Sequence, residues 1–156
     1  MIVIADTSPL SYLVRIGEID VLPALYRRII ITVFVLDELK HRAAPGVVQQ
    51  WIAKPPAWLD IRVPRILPDP ELAELDGGER DAILLAQELG ANELIIDDMD
   101  GRREAQRRKL HFVGTLGVLR LAADKGLLDF KYAVERLRST NFYVAQDVLN
   151  LFMKGD

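Results

Sequence analysis

The chain has 156 residues, half of them hydrophobic, and a formal net charge of −3. This length predicts a single domain over residues 1–156 with a core of its own, and the hydrophobic content argues against disorder. The small negative charge excludes a protein that coats nucleic acid through a broad positive surface, but it allows a local basic patch.

Cysteine is absent and only two histidines are present, so we expect neither disulfides nor a zinc site built on thiolates or histidines. A bound metal would be held by carboxylate oxygens, which suits Mg²⁺ or Mn²⁺. No apolar run approaches the ~20 residues of a membrane span, and the short apolar N-terminus lacks a basic flank. We therefore expect a cytoplasmic protein with no signal peptide and no membrane partner.

The N-terminus combines a β-branched apolar run with a carboxylate. Residues 2–5 predict a fully buried strand, as found in the middle of a parallel sheet. Asp6 would then lie at the carboxyl end of that strand, where open α/β sheets bind ligands. Pro9 predicts the first turn of a helix with Thr7 or Ser8 as N-cap. The alternative for Asp6 is a turn acid that binds the next backbone amides.

The rest of the chain alternates apolar runs with amphipathic segments. Strands are predicted at 29–32, 93–96 and 111–113, and residues 58–63 form either a strand or an extended connection. Helices are predicted at 9–16, 18–26, 33–44, 47–53, 77–89, 101–109, 114–126 (with Thr115 as N-cap), 129–138 and 145–153. This order predicts a three-layer α/β/α fold around a mostly parallel sheet of four to five strands.

Several acids fall where this topology places the carboxyl edge of the sheet. They are Asp6 after the first strand, Glu38 (rather than the more solvated Asp37) on the helix after the second, Glu79 or Asp81 at a helix start, and Asp97 and Asp98 after the third. Each has an ordinary alternative, since helix starts favour acids and acidic loops are usually solvated. Together they would need positive charge, which a divalent ion supplies while creating a centre that handles phosphate.

A basic helix follows the double aspartate. It carries four arginines, which are Arg102, Arg103, Arg107 and Arg108. A charged run is most often a solvated face, but its position beside the acids predicts contact with the phosphate backbone of a nucleic acid.

Four short motifs occur in order: IADTS at 4–8, LDEL at 36–39, GERDA at 78–82 and IIDD at 95–98. They resemble the four acidic motifs of the PIN domain, a metal-dependent ribonuclease fold with many members that are VapC-type toxins. DDMDGR at 97–102 and GTLGVL at 114–119 resemble one PIN subgroup with a Gly-Glu-x-x-Ala helix start. The resemblance spans residues 2 to about 126.

The resemblance implies roles for single residues. Asp6 and Asp98, with Asp97 as the alternative or additional acid, would hold the metal. Glu38 and Asp81 would complete the cluster, with Glu79 competing with Asp81. A hydroxyl of Thr7 or Ser8 would support Asp6.

The sequence thus leads to the hypothesis of an endoribonuclease that depends on Mg²⁺ or Mn²⁺. By resemblance it would be the toxin of a toxin–antitoxin pair, with a cognate antitoxin over the acidic cleft and a homodimeric assembly. Two alternatives stay open. One is a catalytically silent PIN-like module that binds RNA or protein. The other is a different phosphoryl-transfer enzyme, such as a phosphatase with an aspartate nucleophile, although Ser8 stands where the commonest version has a second aspartate.

Overall fold

A parallel five-stranded sheet forms the centre of the described part of the chain. The computed structural model describes residues 1–65, 69–143 and 146–153. The strands are β1 (Val3–Ala5), β2 (Ile29–Thr32), β3 (Leu59–Arg62), β4 (Glu93–Ile95) and β5 (Phe112–Val113). Their order across the sheet is β3-β2-β1-β4-β5, and every pairing is parallel. With helices on both faces, this confirms the predicted three-layer α/β/α fold.

The inner strands lack polar alternation because both of their faces are buried. In β1, Val3 and Ala5 belong to one apolar cluster and Ile4 to the other. The same division separates Ile29 and Ile31 from Ile30 in β2. A sheet covered by helices on both sides requires apolar residues at every strand position.

Nine helices flank the sheet in the described residues. They are α1 (Thr7–Arg15), α2 (Val21–Tyr26), α3 (Val33–Lys40), α4 (Gly46–Ala53), α5 (Gly77–Leu89), α6 (Met99–Arg107), α7 (Thr115–Asp124), α8 (Phe130–Arg138) and α9 (Gln146–Met153). None is long and apolar enough to cross a membrane. Residue 145, the predicted start of the last helix, lies outside the described residues.

Three helix boundaries differ from the sequence prediction in ways that matter for the site. The first residue of α1 is Thr7, so Asp6 and not Thr7 or Ser8 occupies the N-cap position. Likewise Gly114 is the N-cap of α7, and Thr115 is its first helical residue. The helix α3 ends at Lys40 instead of residue 44. Both N-cap predictions were wrong because the two threonine hydroxyls bind carboxylates elsewhere in the fold, as described below.

The strand order opens a crevice beside the central strand. From β1 the chain proceeds to β2 and β3 on one side of the sheet, whereas β4 and β5 lie on the other side. The connections that leave β1 and β4 therefore part from each other at the carboxyl edge, and such a switch point is where open α/β sheets place their ligands. Asp6 follows β1, and Asp97 follows β4 and Ile96.

Candidate active site

Asp6 is a buried carboxylate at the end of the central strand, with only 7% of the residue exposed. It occupies the N-cap position of α1, but its side chain makes no capping hydrogen bond. An N-cap side chain usually accepts from the second or third amide of the helix, and here the third residue is Pro9, which has no N–H. The Asp6 carboxylate is therefore left facing the crevice.

Burial raises the pKa of Asp6 to about 7. The backbone amide of Thr7 favours the charged form and opposes this shift, while the negative charges of Asp76, Glu38 and Asp97 add to it. Burial and like charge both disfavour an ionised carboxyl group. The ionised form of Asp6 is therefore disfavoured in the metal-free protein.

Glu38 reaches the same crevice from α3. Its Oε1 atom accepts a hydrogen bond of 2.6 Å from the hydroxyl of Thr7. The hydroxyl that the sequence suggested as a support for Asp6 thus holds Glu38 instead.

The start of α5 brings two more acids to the crevice. Asp76 is its N-cap and accepts from the amide of Glu79 at 2.9 Å. A Cβ atom on Gly78 would lie 2.7 Å from Glu38 Oε1, 3.1 Å from Asp6 Oδ1 and 3.5 Å from Asp76 Oδ1. Glycine at this position therefore lets three carboxylates approach one point of the backbone.

Glu79 points into the protein, and only 5% of the residue is exposed. Burial raises the pKa of its carboxyl group to about 8, with further contributions from the charges of Asp76, Asp98 and Asp6. Asp81 has a different environment, because its carboxylate lies 3.5 Å from the guanidinium of Arg80 and is partly exposed. Glu79 thus faces the acid cluster, whereas Asp81 pairs with Arg80.

The two adjacent aspartates after β4 are held in different ways. Asp97 accepts from the amide of Thr115 at 2.7 Å and from its hydroxyl at 2.6 Å. Burial raises the pKa of Asp97, while the bonds to Thr115 and the charge of Arg102 oppose that rise. Asp98 is the N-cap of α6 and accepts from the amides of Asp100 and Gly101.

Sequence reasoning missed Asp76 as a member of the cluster and Thr115 as a support for Asp97. It left the choice between Glu79 and Asp81 undecided. The signal for Asp76 was its position directly before two glycines at a helix start. No such signal marks Thr115, because its partner Asp97 is 18 residues away.

The four arginines of α6 have unequal environments. Arg107 pairs with Glu104 and Glu71, and Arg108 pairs with Glu104, Asp69 and Glu71. Only 10% of the Arg108 side chain is exposed. These two arginines therefore tie α6 to the segment around residues 69–72.

Arg102 and Arg103 are nearer the start of α6. Arg103 pairs with Asp100 at 2.7 Å on the surface. Arg102 donates from Nε to the carbonyl of Ile96 at 3.0 Å, and its guanidinium lies 5.6 Å from the centre of the Phe112 ring. Within the described residues, its two terminal nitrogens take part in no hydrogen bond or ion pair.

The donor set has the chemistry of a site for a hard divalent cation. Its acids offer only carboxylate oxygens, which Mg²⁺ and Mn²⁺ prefer, and their mutual repulsion would be relieved by a cation. Their present rotamers serve other partners, namely Thr7 for Glu38, Thr115 for Asp97 and helix amides for Asp98. Accordingly, no three acidic or histidine side chains in residues 1–65, 69–143 and 146–153 are already arranged to hold a metal ion.

We predict that the metal-free protein loses stability as the pH rises. Asp6 and Glu79 have ordinary pKa values of 3.8 and 4.5, and folding raises them to about 7 and about 8. Their contribution to stability is therefore complete below about pH 4 and is lost as the pH rises through 7 and 8. In a chelator, the melting temperature measured by circular dichroism should fall by roughly 5 °C between about pH 5 and about pH 8.5.

The Asp6→Asn variant provides the control for this prediction. An amide cannot ionise, so the variant should melt above the parent at the alkaline end and show a shallower dependence on pH. A parent protein whose melting temperature is level or rises over this range would contradict the assignment of these two groups.

A family model described as a PIN domain matches residues 2–155. No curated protein and no solved structure matches the chain. PIN domains are commonly nucleases, and they generally use divalent metal ions. The carboxylates gathered at the carboxyl edge of a parallel sheet agree with that chemistry, and because the match covers nearly the whole sequence, this chain belongs to the PIN-domain family.

Proposed function

We propose that this protein is an endoribonuclease that depends on Mg²⁺ or Mn²⁺ and hydrolyses phosphodiester bonds of RNA. The observation that carries the proposal is the environment of Asp6, which is buried at the crevice, free of a capping bond and surrounded by the charges of Asp76, Glu38 and Asp97. Such an arrangement costs stability in the absence of a cation. The choice of RNA as substrate rests on the resemblance of the four acidic motifs to PIN ribonucleases.

Each acid is given a role by its place in the crevice. Asp6, Asp97 and Asp98 would hold the cation, while Glu38 and Glu79 would accept hydrogen bonds from the attacking water. A bound divalent ion would acidify that water and polarise a phosphoryl oxygen. Asp81, the other acid proposed from the sequence for this role, is the alternative to Glu79.

Contacts with the RNA backbone are assigned to Arg102 and Arg103. Arg102 is part-exposed and its terminal nitrogens make no hydrogen bond or ion pair within the described residues, and Arg103 is exposed with only a surface ion pair. Arg107 and Arg108 were also predicted to bind RNA, but their ion pairs with Glu71, Glu104 and Asp69 favour a structural role. A role as a toxin, a cognate antitoxin, a homodimer and a cytoplasmic location stay predictions.

The proposal predicts first that the purified protein cleaves single-stranded RNA in the presence of Mg²⁺ or Mn²⁺, and that cleavage stops when a chelator is added. Asp6→Asn should lower the cleavage rate by at least about 100-fold, because it removes a charged oxygen ligand. The rate is measured on a labelled oligonucleotide by gel electrophoresis.

Asp37→Asn is the matched control, since Asp37 is an exposed acid on the same helix as Glu38. It should leave the cleavage rate within about threefold of the parent. Equal activity in parent and Asp6→Asn would contradict the proposal. RNA binding without cleavage under either metal would select the silent binding module, and a trapped aspartyl-phosphate would select the phosphatase alternative.

The second prediction separates the two acids of α5. Glu79→Gln should lower the cleavage rate by about tenfold or more, because the side chain faces the cluster. Asp81→Asn should have little effect, because Asp81 pairs with Arg80 outside it. Glu79 is buried and its pKa is about 8, so glutamine resembles the protonated form of the side chain. Glu79→Gln is therefore expected to fold. The reverse ranking of the two variants would restore Asp81 to the site.

The third prediction measures the metal without measuring activity. Saturating Mg²⁺ or Mn²⁺ should raise the melting temperature by roughly 5–10 °C, because a ligand that binds only the folded state stabilises it by mass action. Sodium chloride at equal ionic strength controls for charge screening, and Asp6→Asn should respond much less to the divalent ions. A melting temperature that does not change over a wide range of metal concentration would exclude a shared site.

A further inference from the structure

A groove rich in aromatic side chains adjoins the acid cluster and has no role in the scheme above. It has a volume of about 510 Å³ and is lined by parts of α1, α6, α7 and α9 and by the segment before α9. Asp97, Asp98 and Ser8 belong to its lining, so the groove is continuous with the candidate active site. We call it the aromatic groove, after Tyr12, Phe142, Tyr143 and Phe152 in its wall.

The segment that carries Phe142 and Tyr143 is attached to α1. The Phe142 ring packs edge-on against Tyr12 with their centroids 4.8 Å apart. Asn141 accepts hydrogen bonds of 3.0 Å from the Tyr12 hydroxyl and from Arg15. Tyr143, the next residue after Phe142, is nevertheless 87% exposed. Asn141 and Phe142 are thus attached to α1, and the tyrosine that follows them exposes its ring at the edge of the groove, where burial against the core does not explain it.

The other groups at the groove suit a nucleotide. Arg102 lines it with terminal nitrogens that make no ion pair within the described residues, and an arginine in this state binds a phosphate well. Met99, also in the lining, is exposed and apolar. Aromatic rings beside a guanidinium are the common surface for stacking bases of single-stranded nucleic acid.

Because the aromatic groove adjoins the acid cluster, the part of a substrate that reaches it would be a nucleotide next to the cleaved bond. A phosphodiester bond at the carboxylates has a nucleotide on each side, and one of these must meet a surface next to the cluster. The aromatic groove is such a surface, because it shares Asp97 and Asp98 with the site. In a duplex the bases are stacked and paired, so only an unpaired base could enter.

We propose that the aromatic groove binds an unpaired base of single-stranded RNA that flanks the bond to be cleaved, with Tyr143 stacking on that base. This inference rests on the proposed function and assigns the nucleotide beside the cleaved bond to the aromatic groove. Tyr143 acts here as a residue that determines substrate structure and takes no part in the chemistry.

The test measures the affinity for a fluorescein-labelled single-stranded RNA oligonucleotide in an Asp6→Asn background, where the RNA stays intact. Adding Tyr143→Ala should raise the Kd by about tenfold, because one stacked base is lost. Tyr143→Phe keeps the ring and should stay within about twofold of the background. With 2-aminopurine in the oligonucleotide, the fluorescence quenching on binding should weaken in Tyr143→Ala only.

Tyr132→Ala is the matched control, since Tyr132 is another exposed tyrosine and lies on α8, outside the groove lining. It should leave the Kd unchanged. Since Tyr143 is almost fully exposed, its replacement by alanine should not disturb folding, and an unchanged melting temperature checks this. A perfect RNA duplex of the same sequence should bind more weakly and should not respond to Tyr143→Ala.

The outcomes separate this inference from the proposed function. If the parent cleaves RNA with Mn²⁺ but Tyr143→Ala changes neither the Kd of the background nor the KM of the parent, the inference is overturned and the groove is left for a protein segment. Duplex binding as tight as single-strand binding would overturn it too. If Tyr143→Ala weakens binding of the single strand but the parent cleaves RNA with neither Mg²⁺ nor Mn²⁺, the base site stands and the nuclease proposal fails.

Discussion

The rest of the candidate site depends on a buried carboxylate at the end of the central strand. Asp6 follows three fully buried residues of β1, so its position is set by the core and not by the loop after it. The hydrogen bond from the Asp6 amide to the carbonyl of Ile95 continues the parallel ladder to β4. The carboxylate is therefore held at the switch point of the sheet, even though its burial and its acidic neighbours oppose its charge.

Neutral donors hold the other acids of the crevice without cancelling their charge. Glu38 is bound by the Thr7 hydroxyl and Asp97 by Thr115, while Asp76 and Asp98 accept helix amides. Asp6, Asp76 and Asp98 are the N-caps of α1, α5 and α6, and Asp97 binds the first residue of α7. Four helix N-termini thus meet at the acids, and their partial positive charge offsets part of the repulsion. What remains is the charge that a divalent cation would neutralise.

The arginines at the two ends of α6 have different environments. Its last turn is bound to acids at residues 69, 71 and 104, and these ion pairs tie this end of the helix to the rest of the fold. Its first turns carry Arg102, which faces the aromatic groove beside the acids. The sequence of α6 is basic along its whole length, but its two ends differ. The last turn stabilises the fold, and the first turns could bind a polyanion. On this arrangement, the phosphate and the base of one nucleotide would be bound by neighbouring surfaces.

The sequence by itself determined the layers of the fold, and it predicted most of the acids of the candidate site. Apolar strands without alternation require cover on both faces, and acids directly after such strands must lie at one edge when the strands are parallel. That reasoning predicted the sheet, and it named Asp6, Glu38, Asp97 and Asp98 before any contact was known. Local spacing also assigned Arg102 and its neighbours to a helix beside the acids.

Only the tertiary structure decided which acid of α5 faces the crevice, which arginines are already paired and what surface adjoins the cluster. Glu79 and Asp81 both fit a helix start, and the rotation of α5 against the sheet separates them. The partners of Arg108 lie up to 39 residues away, and Thr115 lies 18 residues from Asp97. The aromatic groove likewise joins segments from both ends of the chain. Local periodicity carries no information about such pairs, because the packing of distant elements sets the distance between them.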